Sequence, residues 1–230
     1  MENNKAALME MTAETLFASG YSLAWEYVCG FDYPWEALPG IRELILELGE
    51  ALDTSEYDRH GDSIWIHKTA SVAPSVHLGN FVIVGANAQI RHCANIRENA
   101  LIGNKVVIGT ATELKNVILS DSAEVPHYNY VGDSILGYKA HLGAGAITSN
   151  IKSDRTNITI VCGGNKIETG MRKIGAILGD HVEVGCNSVL NPGTVVGKGT
   201  TIYPLSMVRG FVPSGVIYKR QGEVVVRLNK

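Results

Sequence analysis

A large aliphatic residue recurs at every sixth position from Ile66 to Leu114: Ile66, Val72, Leu78, Val84, Ile90, Ile96, Ile102, Ile108 and Leu114. Four residues after each stands a small or aliphatic partner, from Ala70, Val76 and Val82 through to Thr112 and Ile118. An α-helix repeats at 3.6 residues and a strand at two, so neither alone yields a hexad. A six-residue period describes a short strand, a corner and another short strand, the signature of a parallel β-helix. Three hexads close one coil, so residues eighteen apart should stack at about the 4.8 Å strand spacing.

Around this array the chain divides into three parts. Residues 1–61 read as a helical segment, in which Ile41, Leu44, Ile45 and Leu48 share one helical face after the turn-rich PWEALPG. Residues 62–210 carry the hexads. Residues 211–230 end in an alternating stretch that reads as a β-hairpin turning at Gln221-Gly222. The hexads fail twice. At PHYNY, residues 126–130, Val131 follows Pro126 by five residues instead of six. From 150 to 173 the chain is too long and polar for a coil, and reads as a loop or an excursion hairpin. The pattern resumes at Leu178, Val184, Leu190, Val196, Ile202 and Val208. Interruptions of a rigid scaffold are where binding and catalytic residues gather.

Composition narrows the chemistry. A formal net charge of −3 gives no reason to expect a nucleic acid or membrane-surface partner. No apolar run approaches a membrane span, and the N-terminal stretch lacks a secretory pattern, so a cytoplasmic protein is expected. Cys29, Cys93, Cys162 and Cys186 are scattered without metal-ligand spacing and read as reduced thiols. No metal is expected.

The eighteen-residue ruler singles out Arg97 and Lys115, which stack, each directly after an inward aliphatic. Glycine fills that slot at Gly79, Gly85, Gly103 and Gly109. Two cations stacked there repel unless an anion lies between them. His127 reads as the same slot, one residue past Pro126, with Tyr130 close by along the chain. Imidazole can serve as a general base near neutral pH. Asn150 closes the run LGAGAITSN and opens the excursion, whose cations Lys152, Arg155, Lys166, Arg172 and Lys173 could meet phosphates or merely keep the loop soluble.

The stretch VPHYNYVGDSILGYKAHLGAGAITSN resembles the acetyltransferase arm of the bifunctional glucosamine-1-phosphate N-acetyltransferase / N-acetylglucosamine-1-phosphate uridylyltransferase family. NIKSD and TGMRKIGAILGDHVEVGCNSVLNPG resemble its archaeal sugar-1-phosphate version. The resemblance implies a mainly β fold: a left-handed parallel β-helix of hexapeptide repeats. It implies His127 as general base on an amino group, Arg97 and Lys115 on a phosphate, and Tyr130 and Asn150 on the sugar. His141, Lys152, Arg155 and Cys186 stand as possible contacts to substrate or coenzyme A. Three positions depart from the family pattern. Thr156 stands in place of a lysine for which Lys152 or Arg155 could substitute, His141 in place of an asparagine, and Cys186 in place of a serine. The nucleotidyltransferase domain of the family has no counterpart in the sequence.

The same resemblance implies acetyl-CoA-dependent N-acetylation of an amino sugar phosphate by a homotrimer, with the Gly143-Ala144-Gly145 backbone offering N–H groups to the thioester oxygen. Competing expectations are an acyltransferase for a nucleotide-linked amino sugar or a hydroxyl acceptor, and a non-catalytic scaffold. A zinc carbonic anhydrase on the same helix would need three converging histidines, a pattern that His92, His127 and His141 do not provide.

Overall fold

The computed structural model describes residues 9–220 and 223–226. Its body is a left-handed parallel β-helix with three faces. Face one is built from short strands beginning with Ser71–Val72 and Gln89–Ile90, and including Glu124–His127, His141–Leu142 and Glu183–Val184. Faces two and three share continuous strands in the upper coils: His77–Val84, Asn95–Ile102, Glu113–Leu119 and Tyr130–Leu136. Below these the chain leaves the coil between Ile147–Thr148 on face two and Ala176–Leu178 on face three. All three faces pair in parallel register, as in Leu78↔Ile96, Ile90↔Ile108 and Val84↔Ile102. The stacked aliphatics form one continuous interior, with Ile96, Ile108, Leu114, Val125, Val131 and Leu142 fully buried.

The hexads shorten at places other than PHYNY. Val125 and Val131 both point inward, six residues apart, so that coil face is regular. The five-residue steps run from Leu114 to Leu119 and from Val131 to Leu136, all four buried in the interior. Val117, not Ile118, is the inward partner of Leu114, and the register with the strand above shifts there. Each step removes one residue from the corner between faces two and three, at Lys115–Asn116 and at Gly132–Asp133. Pro126, rather than His127, fills the first corner slot after Val125. His127 therefore lies at a different corner, between faces one and two.

Face three is buried on both sides. Its outward residues Ile83, Leu101, Ile118, Ile135, Ile177 and Val195 join a second apolar cluster with Leu16, Trp35, Leu38, Ile41 and Ile45 of the N-terminal segment. That segment runs along the flank of the coils. Its helix Ile41–Ala51 buries Ile41, Leu44, Ile45 and Gly49. At Gly49 an added Cβ would lie 2.5 Å from the Trp65 ring, so only glycine lets the helix approach. The segment is not wholly helical, because Tyr57–His60 pairs antiparallel with Ile64–His67 and extends the sheet at the first coil. The excursion is a hairpin, Thr159–Cys162 against Asn165–Glu168, and its Ile158, Ile160 and Cys162 complete the cover of face three. At the other end the coils continue past residue 210. Val216–Arg220 pairs in parallel with Thr201–Ile202, and Tyr218 enters the core. The antiparallel strand Glu223–Val226 then follows, the expected turn at 221–222 lying outside the described residues. Among the described residues no helix is long and apolar enough to cross a membrane.

Asp180 ties the N-terminal segment to the coils. Its carboxylate accepts from the backbone N–H groups of Ala18 (2.7 Å) and Tyr138 (2.8 Å), with Lys198 Nζ at 3.8 Å. Asp180→Ala should cost about 2–4 kcal/mol in chemical denaturation, because two donors lose their partner. Burial pushes the carboxyl pKa up, against the pull of those hydrogen bonds. The native state thus holds the proton more tightly than the unfolded chain. The contribution of this group to stability is fullest below the unfolded value and shrinks as pH rises through the folded one.

Candidate active site

The corner between faces two and three carries an unbroken stack of polar side chains. Asn99 Nδ2 donates to Asn116 Oδ1 (3.3 Å), and Asn116 Nδ2 to Asp133 Oδ1 (3.0 Å). From below, Asn150 Nδ2 donates to Asp133 Oδ2 at 2.5 Å. The members are seventeen residues apart because the shortened corner makes a coil of seventeen there. Asn99, Asn116 and Asp133 hold left-handed φ angles of 53°, 54° and 48°. Asn and Asp tolerate this conformation better than other side chains, which is why the stack can occupy the corner.

Four residues singled out from the sequence gather at this corner. Arg97 Nη1 lies 3.2 Å from Glu113 Oε1, and Lys115 Nζ lies 3.7 Å from Asp133 Oδ1. The two stacked cations are therefore each neutralised by a carboxylate of the chain. Tyr130 Oη accepts from Asn150 Nδ2 at 3.2 Å. Its phenol pKa is raised, first by burial and then by the Asp133 and Glu113 carboxylates, so the hydroxyl keeps its proton as a donor. The ring folds over Gly132, where a Cβ would sit 2.5 Å from the phenol oxygen.

His127 stands at the opposite edge of face two. Its backbone is held firmly: its N–H donates to Asn129 Oδ1 (3.0 Å), and its carbonyl accepts from Gly145 N–H (3.0 Å). Buried Asn129 anchors that turn by donating to the carbonyls of Gly143 (2.8 Å) and Ala146 (3.1 Å). The imidazole is exposed and forms no hydrogen bond to the Tyr130–Asn150 cluster among the described residues. The N–H groups of Gly143 and Gly145 are spent within the coils, on Val184 O and His127 O. Of that run only the Ala144 N–H is left without a partner among the described residues. Cys186 lies at the same corner one coil below, its thiol exposed and close under Gly143.

The remaining expected contacts are dispersed. His141 is on face one, where Nδ1 lies 3.0 Å from Glu183 Oε2. Lys152 reaches Thr156 Oγ1 at 2.5 Å, so its ammonium occupies the neighbourhood of Thr156. Arg155 is exposed on the excursion with a φ of 58°. A cleft of about 850 Å³ opens between the excursion and the lower coils, lined by Lys152, Asp154, Val161, Pro192, Arg209 and Phe211 among others. A second cavity of about 460 Å³ lies at the excursion stem beside Ile151, Met171, Arg172 and Lys173. Among the described residues no cluster of three or more His, Cys, Asp or Glu side chains could hold a metal ion.

Asp133, Asn116, Asn129 and Glu113 were not singled out by sequence reasoning. A signal for three of the stack members existed: Asn99, Asn116 and Asp133 stand seventeen residues apart in series with Asn150. The eighteen-residue ruler passed over it.

The family model described as the GMPPB C-terminal domain matches residues 86–198. The bifunctional sugar-1-phosphate nucleotidylyltransferase/acetyltransferase of Sulfurisphaera tokodaii is 32% identical over 124 residues, covering 54% of this chain and 31% of that protein. The bifunctional protein GlmU of Methanococcus vannielii is 32% identical over 137 residues, 59% of this chain and 33% of the other. The uncharacterized acetyltransferase YaiX of Escherichia coli is 33% identical over 158 residues, 61% of this chain and 69% of that protein. The chain belongs to the hexapeptide-repeat acetyltransferase family, corresponding to the acetyltransferase arm of the bifunctional enzymes. It spans about a third of the length of those bifunctional relatives.

Proposed function

We propose that the protein transfers an acetyl group from acetyl-CoA to the amino group of a sugar phosphate such as glucosamine-1-phosphate. The observation that carries this reading is the meeting of Lys115 and Asn150 on buried Asp133, with Tyr130 hydrogen-bonded to Asn150, beside a cleft of about 850 Å³. Tyr130 and Asn150 orient the sugar. Arg97 and Lys115 meet its phosphate, exchanging part of their pairing with Glu113 and Asp133 for charge-assisted contacts. His127 takes the proton from the attacking amine. The Ala144 N–H stabilises the thioester oxygen as it gains charge. The coenzyme lies along the cleft, with Lys152 and Arg209 available to its phosphates. Direct attack by the amine needs no covalent enzyme intermediate.

Support for a homotrimer comes from face two. The imidazole and the acceptor cluster occupy opposite edges of that face, so a neighbouring copy is needed to bring one to the other. Apolar side chains exposed on the face and its His127 edge suit such packing, among them Tyr128, Ile147, Val189, Leu205 and Met207. A cytoplasmic location fits acetyl-CoA and sugar phosphates as substrates.

The direct test is thiol release from acetyl-CoA with glucosamine-1-phosphate, alongside nucleotide-linked amino sugars and hydroxyl acceptors. Turnover only with one of the latter would replace the proposed acceptor. Lys115→Met should raise the acceptor KM about tenfold or more and leave the acetyl-CoA KM within twofold, since a single charge-assisted contact contributes about 1.5–3 kcal/mol. An unchanged acceptor KM would remove Lys115 from the phosphate site.

A further inference from the structure

We infer that Asp133 dictates which end of the Asn150 amide faces the acceptor, and thereby sets the donor and acceptor pattern of the sugar site. The inference rests on the acyltransferase reading given above. An ionised carboxylate can only accept hydrogen bonds. Asp133 is 5% exposed, so its oxygens must find donors within the protein. Asn116 Nδ2 and the Lys115 ammonium face Oδ1, which leaves Oδ2 to Asn150. Asn150 must therefore present its NH₂ group inward. The same nitrogen reaches Tyr130 Oη, so its second N–H is spent there.

This orientation constrains whatever binds. The Asn150 carbonyl oxygen turns outward as an acceptor. The Tyr130 oxygen already accepts from Asn150, so its O–H is left to donate outward. The corner then offers one acceptor and one donor side by side. It suits a ring edge presenting a hydroxyl or ammonium donor next to an oxygen acceptor, as vicinal substituents of an amino sugar do. Asp133 itself touches no substrate in this arrangement and acts as a positioning residue. The amide stack supports it from above: Asn99 donates to Asn116 and Asn116 to Asp133, so the donors from both sides converge on one carboxylate.

The experiment compares wild type, Asp133→Asn and Asn116→Ala in steady-state kinetics and thermal melting. An amide at 133 can donate as well as accept, so Asn150 is free to flip. Asp133→Asn should raise the acceptor KM at least tenfold while the acetyl-CoA KM stays within twofold. Asn116→Ala removes the other amide from Asp133 and should lower the melting temperature with the acceptor KM within about twofold. An unchanged acceptor KM in Asp133→Asn overturns the inference. So does a parallel rise of both KM values in both variants in step with lost stability, which marks a purely structural role. Should Asp133→Asn fail to fold, Asn150→Asp decides. It sets two carboxylates together, facing Lys115 and Tyr130 with Arg97 and Glu113 beyond. Acceptor affinity should fall tenfold or more at pH 8 and recover toward pH 6, where one shared proton replaces the amide N–H. Full affinity at pH 8 overturns the inference. Absence of turnover by the wild type with every acceptor is a separate result: it removes the acyltransferase reading.

Discussion

Replacing His127 with alanine is expected to lower kcat for acetyl transfer by about 10²–10⁴-fold, or about 3–5 kcal/mol of barrier. Both substrate KM values should hold within a few-fold. The imidazole is exposed at the edge of face two, makes no hydrogen bond among the described residues and supports no part of the core. Its removal should leave the melting temperature nearly unchanged, because the corner is fixed by the Asn129 side chain and the backbone. This separates a chemical role from a structural one. Asn129→Ala makes the contrast: it removes the amide that donates to the Gly143 and Ala146 carbonyls and should lower both stability and kcat. If His127→Ala turned over like the wild type in stopped-flow thiol release, another group would have to take the proton. The exposed Tyr128 hydroxyl, next to it at the corner, and the exposed Cys186 thiol, two coils below, are titratable groups on that edge.

The periodic part of the fold was legible because it is written redundantly. Every coil repeats the same inward aliphatics, so the interior could be read from Ile66 to Val208. The shortened corners escaped because two sliding registers describe the same letters. At Leu114–Leu119 both Val117 and Ile118 are aliphatic, and hexad counting chose the outward one. The cover of face three was also written in the chain. The runs Val82-Ile83-Val84, Ala100-Leu101-Ile102 and Val117-Ile118-Leu119 are apolar on both sides of the strand, whereas Gln89, Glu124 and Glu183 point outward from face one. A strand that is apolar throughout is buried on both faces. That reading calls for a cover over face three, which the N-terminal segment and the excursion supply. Of the site residues, stacking arithmetic and resemblance brought together Arg97, Lys115, Tyr130 and Asn150. The carboxylates that neutralise the cations were missed for a physical reason. Glu113 precedes an inward position and Asp133 follows a glycine, so each looks like an ordinary solvated acid in sequence. Only the coil places one on Arg97 and the other beneath Lys115.

Leu205→Asp combined with Met207→Asp is expected to yield a folded monomer with acetyl transfer reduced at least 100-fold. Leu205 is 80% exposed, Met207 48% and Tyr128 65%, large apolar groups on face two and along its His127 edge. Val189 and Met207 are ladder neighbours on face two, continuing the line of Ile147. Contiguous exposed apolar surface of this kind marks an association site. A closed rotationally symmetric ring would apply one such face against the next subunit. Within one chain, face two separates His127 from Tyr130 and Asn150. Association across this face would set the imidazole of one copy against the acceptor cluster of another. Charged side chains at 205 and 207 would have to be desolvated on assembly, while in the monomer they sit in water at little cost. The interior beneath them, Leu190, Ile202 and Val208, is untouched. Light scattering should therefore report a monomer, and circular dichroism an intact β-helix. Val226→Asp, at an equally exposed position on the C-terminal hairpin, should keep both the assembly and the activity. A wild-type protein that is monomeric and fully active would place the whole catalytic apparatus within one chain. His127 would then have to reach its substrate across its own face, and the shared-site geometry would be wrong.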